Sequence, residues 1–223
     1  MPSSVIRFYK ENGAALTIQA LRGSVYRRVF NGLVSMKVKG HPRINIHPSA
    51  FIRGLSHVEF GEHFRAGRHF WLEAVITDGG RRYSPRISIG NNVIVNDDVH
   101  IAATNYISIG DNVLMASRIF ISDHNHGSYQ DSGASDPEVP PRLRVVSSDK
   151  RVIIEDNVWI GEMVSVLPGV VIGRGSVIGG NSVVTRSIPA HSIAIGNPAR
   201  VIKRFCAAER QWKAVPPTHA ITA

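Results

Sequence analysis

The chain has 223 residues, 26 Lys and Arg against 17 Asp and Glu, a net charge of +9 and one cysteine. That length suits a single domain, and a lone thiol (Cys206) excludes an intrachain disulfide, which fits a reducing cytoplasm. No apolar run approaches the ~18 residues of a membrane span, no cleavable secretory leader is expected, and the charge lacks the motifs or aromatic platform of a nucleic-acid reader.

In chain order, residues 22–43 come first, with Arg22, Arg27, Arg28, Lys37, Lys39 and Arg43 interleaved with Val25, Tyr26, Val29, Phe30, Leu33, Val34 and Met36. This predicts a short basic amphipathic helix inside an N-terminal cap covering residues 1–43. Two roles stay open for it. It closes the end of the following element with a solvated basic face, or it makes a peripheral contact with an anionic membrane.

Residues 44–190 carry an aliphatic residue at every sixth position. Ile154, Ile160, Val166, Ile172, Ile178 and Val184 form one unbroken series. Ile89, Val95 and Ile101 form another, continued after a slip of two by Ile109 and Met115, and Ile46, Ile52, Phe60, Ala66 and Leu72 extend it upstream with one step of eight. A second small or aliphatic residue follows four places later, as at Val93, Val99, Val158 and Val164. A period of six fits neither a helix nor a flat strand; it predicts a solenoid of about six triangular coils, ~29 Å tall at one strand spacing per coil. The fourth place of each unit should turn through positive φ, and Asn92, Asp98, Asn112, Asn157, Gly169, Gly175 and Asn181 stand there.

Two segments break the pattern. Residues 77–86 are basic and Gly-rich, and residues 123–150 form a long insertion after which Ile154 resumes the register. An unperiodic segment of that length inside a compact domain is usually functional. Residues 191–223 form a C-terminal segment expected to close a binding site.

The repeat, residues 121–126 (ISDHNH), residues 157–161 (NVWIG) and residues 194–203 (AIGNPARVIK) together resemble the left-handed β-helix acyltransferases, over roughly residues 86–205. Within them the chain is most similar to the acetyl-coenzyme A-dependent O-acetyltransferases of the maltose and galactoside type and of surface-polysaccharide and lipopolysaccharide synthesis. The resemblance implies an all-β, left-handed parallel β-helix, a homotrimer with active sites between subunits, acetyl-coenzyme A as donor, no metal, and a sugar or glycan acceptor, free or lipid-linked. It implies a cytoplasmic enzyme, at the inner membrane surface if the acceptor is lipid-linked.

Acetyl transfer to a hydroxyl needs a base near neutral pH, and the resemblance carries that role onto His124, with His126 as the rival and otherwise an acceptor-binding residue. It carries an acceptor contact onto Asn96, with stacking of coils expected to bring it near His124. Asp123 orients His124 or contacts the acceptor, or is a solvated loop carboxylate. Trp159, at an outward position, is expected to line the cleft. Gly161, Gly179, Gly180, Thr185 and Arg186 would follow the pantetheine arm, with Arg200 and Lys203 near the nucleotide phosphates. The competing readings are an acyltransferase with another acceptor (an amino sugar, a xenobiotic or an amino acid), a non-catalytic trimeric scaffold, and a metal hydratase of the γ-carbonic anhydrase kind, for which His100, His124 and His126 are the candidate ligands.

Overall fold

The computed structural model describes residues 3–129, 133–147 and 149–216. Its core is a triangular prism of short parallel strands in three sheets. Sheet A stacks the strands Ile44–Ile46, Phe64–Ala66, Ile94–Val95, Leu114–Met115, Trp159–Ile160, Val177–Ile178 and Ser192–Ile195. Sheet B stacks six, from Phe51–Arg53 to Val183–Val184, and sheet C stacks five, from Val58–Phe60 to Val171–Ile172.

The period of six is the step from one sheet to the next. Its inward residues from Ile89 to Val184 are all buried, none more than 3% exposed. The second positions Val93, Val99, Val113, Ile119, Val158, Val164 and Val170 fill the corners and are buried as well. All seven expected corner residues have positive φ, between 56° and 88°. Arg118 (φ 58°) and Met163 (φ 57°) take the same conformation between sheets A and B, where their residue types gave no hint of it.

Departures from period six share one edge. The steps of eight (Ile52 to Phe60, Ile101 to Ile109) and both insertions fall between a sheet B strand and the next sheet C strand. Coils there are free to bulge because neighbouring backbones need not pair at a corner. The first insertion forms a small hairpin, Thr77–Asp78 against Arg81–Arg82. The second is zipped at its base: Gly127 N–H donates to Val145 O (2.9 Å) and Ser147 N–H to Asn125 O (3.0 Å), over a buried Val146.

Both ends of the prism are covered. Helix α1 (Ser3–Lys37) is longer than the sequence predicts and is broken at Gly13 (φ 77°). Its Phe30 and Val34 pack on the first coil. Asn31, buried, closes the exposed edge of sheet A: its Nδ2 donates to Ile46 O (3.0 Å) and its Oδ1 accepts from Ile46 N–H (2.7 Å). The helix is not amphipathic in the expected sense. One face meets the core, yet the opposite face is apolar too, with Val25, Tyr26, Val29, Leu33 and Met36 all exposed. At the other end Arg200–Cys206 turns antiparallel onto Ser192–Ile195 and is followed by Gln211–Ala214.

Candidate active site

The sheet B strand Phe120–Ser122 stops at the edge of its coil, and the chain leaves the prism directly into Asp123 and His124. Asp123 is fully buried, so it is neither a solvated loop carboxylate nor an acceptor contact. Its Oδ1 accepts from Thr104 N–H (2.9 Å) and its Oδ2 from Asn105 N–H (2.9 Å), both from the coil before. Its Oδ1 also lies 2.8 Å from His124 Nδ1. A carboxylate in that place makes Nδ1 the protonated nitrogen and leaves Nε2 as the basic one. The Ser122 hydroxyl donates to His124 O (3.0 Å) and accepts from His124 N–H (3.2 Å), clamping the backbone on either side of the imidazole.

His124 opens onto a cleft of about 400 Å³ on the edge that carries both insertions. The first insertion contributes Thr77 and Asp78, the second Asn125, His126 and Val146, and sheet B contributes Arg53, Glu73, His100 and Phe120. Most of the sheet B residues were missed in the sequence, although a signal was there. An aromatic side chain precedes the inward aliphatic in four successive coils of this sheet: Phe51, Trp71, His100 and Phe120. They form a ladder, with Trp71 edge-on to Phe51 (5.5 Å between centroids), stacked on His100 (4.3 Å), and His100 edge-on to Phe120 (5.4 Å). Glu73 accepts from Trp71 Nε1–H (3.2 Å) and from Arg53 Nη1 (2.9 Å). Burial holds the His100 imidazole below its ordinary value of 6.5, Glu73 opposes this, and His124 adds to it. His100, His124 and His126 line one cleft, but among the described residues no three side chains are placed to share a metal ion.

The remaining candidates fall into two groups. Thr185 and Arg186 follow the last strand of sheet B and stand two coils above His124, ~10 Å along the same edge. Asn96, Trp159, Gly161, Gly179 and Gly180 lie on sheet A or at the ends of its strands. Arg200 and Lys203 belong to the antiparallel strand added to sheet A. Stacking therefore does not bring Asn96 to His124 within one chain, because the width of sheet B separates them. Trp159, 52% exposed, does not line the His124 cleft of its own chain either.

Residues 151–186 match the family model described as bacterial transferase hexapeptide (six repeats). The chain is 43% identical over 164 residues to WbbJ of Escherichia coli K12, a protein named for lipopolysaccharide biosynthesis O-acetyl transfer; the match covers 73% of this chain and 80% of WbbJ. This chain belongs to the hexapeptide-repeat acetyltransferases. A Saccharomyces cerevisiae acetyltransferase, YJL218W, is 39% identical over 117 residues, covering 52% of this chain and 58% of the yeast protein. Among solved structures, the Bacillus cereus N-acyltransferase AntD, in complex with dTDP-4-amino-4,6-dideoxyglucose and coenzyme A, shares the fold (TM-score 0.55, 24% identity, 75% of this chain and 82% of that one).

For a hexapeptide-repeat acetyltransferase, a donor with a long thin arm and a phosphorylated nucleotide needs bare backbone and free cations. The described residues fit both needs. Gly180 is exposed, although a Cβ on it would lie 3.2 Å from Glu162 O, and Arg186, Arg200 and Lys203 are exposed with no carboxylate partner among the described residues. Gly161 has a different reason to be glycine: a Cβ there would stand 2.7 Å from Gly180 N, so the stacking of coils alone demands it.

Proposed function

We propose that this chain is an acetyl-coenzyme A-dependent O-acetyltransferase acting on a sugar hydroxyl in surface-polysaccharide or lipopolysaccharide synthesis, with His124 as general base. The observation that carries the reading is the Asp123–His124 pair, whose 2.8 Å contact points the basic nitrogen away from a buried carboxylate. The likeness to WbbJ supports the acceptor class. Nε2 takes the proton as the sugar oxygen attacks the thioester carbonyl, then returns it to the departing thiolate, so no net proton is left on the enzyme. Charge developing on the carbonyl oxygen calls for a backbone N–H donor. The cytoplasm, where acetyl-coenzyme A is made, is the compartment proposed.

The active unit in this proposal is a homotrimer. Two of the prism's three faces carry exposed apolar stripes: Ile94, Leu114 and Trp159 on sheet A, and Phe51, Trp71 and Phe120 on sheet B. Sheet C has no exposed large apolar side chain among the described residues. Two different sticky faces meeting at one edge favour a ring in which sheet A of each copy covers sheet B of the next, and three prisms close it. That arrangement unites the two groups of candidates: Asp123, His124, His126, Thr185 and Arg186 from one copy; Asn96, Trp159, Gly161, Gly179, Gly180, Arg200 and Lys203 from its neighbour.

The test is thiol release from acetyl-coenzyme A in the presence of a panel of sugar nucleotides and lipid-linked glycans. His124→Ala should lower turnover by 10²-fold or more against the acceptor that responds, roughly the worth of a positioned base. Undiminished turnover in that variant sinks the assignment.

A further inference from the structure

We infer that the outer face of helix α1 is a docking surface for an anionic lipid bilayer. Beyond the break at Gly13 the helix has two apolar faces on opposite sides. Phe30 and Val34 lie on one and pack against the core. Ile18, Leu21, Val25, Val29, Leu33 and Met36 lie on the other, each between 44% and 63% exposed. Their steps of three and four residues follow the turn of the helix, so they form a straight stripe ~27 Å long.

Charge selects the occupant. Residues 14–37 contain Arg22, Arg27, Arg28 and Lys37 and no carboxylate at all. A wide groove of about 1220 Å³ between the helix and the first coil places His41 beside Arg27 and Arg28, with no Asp or Glu in its lining; Arg43 there is paired with Glu62 (3.4 Å), and burial and Arg27 hold the His47 imidazole below its ordinary value. An apolar stripe lying in the headgroup region, flanked by cations over anionic phosphates, is the arrangement of an interfacial helix. A second copy of the same helix is a poorer match: it would bring the cations of residues 14–37 against one another, and the one acid of the helix, Glu11, is already paired with Arg7 (2.9 Å). No helix among the described residues is long and apolar enough to cross the bilayer, so the contact is peripheral. This inference stands on the helix alone and does not depend on the transfer chemistry.

The experiment is co-sedimentation of the full chain with vesicles of phosphatidylcholine alone and of phosphatidylcholine mixed with phosphatidylglycerol. Binding is expected to the mixed vesicles and to fall as salt is raised. Paired substitutions Val25→Ser with Val29→Ser, and Arg22→Glu with Arg28→Glu, should each weaken it about tenfold, one by removing buried apolar area and the other by reversing charge. Glu and Arg have similar helix propensity, so the second pair keeps the helix; circular dichroism checks both. The inference is overturned if the unaltered chain stays in the supernatant with mixed vesicles, or if both paired variants sediment as it does. It is also overturned if Val25→Ser with Val29→Ser lowers the mass in light scattering, which would assign the stripe to contacts between copies.

Discussion

Asp123 shows how much one buried carboxylate can organise. Both of its oxygens accept backbone N–H groups, from Thr104 and Asn105, and one also meets His124 Nδ1. An amide cannot reproduce this, because either orientation sets an NH2 against one of those N–H donors. Asp123→Asn should therefore cost about 1–3 kcal/mol of stability, measured by denaturant unfolding, and lower turnover as well. Unchanged unfolding would contradict the burial argument. His100 offers a pH-dependent test. Its imidazole titrates below 6.5 in the folded chain, so the unfolded chain binds its proton first. The stability linked to neutral His100 is present above 6.5 and is lost as pH falls from there toward the lower folded value. His100→Phe should flatten the dependence of Tm on pH in that window while keeping the aromatic ladder between Trp71 and Phe120. An unaltered slope would assign it to other groups.

At the scale of the coil, the period is legible because each inward place has a single role. From Ile89 to Val184 every such residue is aliphatic and every one is buried. Corners are legible where Asn, Asp or Gly occupies them and silent where Arg118 or Met163 is held in the same backbone region. Those two are held by the coil before: Arg118 N–H donates to Asp97 O and Met163 N–H to Ser117 O, both at 3.0 Å. The proposed base, His124, is legible as a candidate because the register fails beside it, whereas the aromatic ladder is hidden in outward positions that composition treats as surface. The burial of Asp123 is not legible either, since it depends on two backbone amides nineteen and eighteen residues away in sequence. Gly90 marks another demand of the coil. A Cβ on it would lie 2.7 Å from the carbonyl carbon of Gly110, which stands at the same corner one coil on. Gly90→Ala should cost about 1–3 kcal/mol by forcing two coils apart. Thermal unfolding that matches the unaltered chain would show that the corner yields more than the packing implies.

Over the whole molecule, the division of candidates between two faces has a measurable consequence. If the site forms between copies, a chain lacking His124 and a chain lacking Asn96 can complement each other. Co-refolding His124→Ala with Asn96→Ala in equal amounts should restore about a quarter of the sites, since a site is whole only when each side comes from the chain that retains its residue. Activity no greater than that of either variant alone would place the site within one chain.

The covered ends of the prism set the direction in which this chain is able to associate. Parallel strands stacked in register resemble the interior of a fibril, and an open end would offer a template on which another copy could continue the stack. Asn31 occupies the amide and carbonyl of Ile46 at one end. At the other, Ser192–Ile195 is paired by an antiparallel strand, Val183 N–H donates to Gly196 O, and Ile188 bridges to Ile172. Lengthwise growth is thereby stopped at both termini while the two apolar flanks stay open. The molecule is a finite segment of a potentially endless architecture, left free to join others side by side.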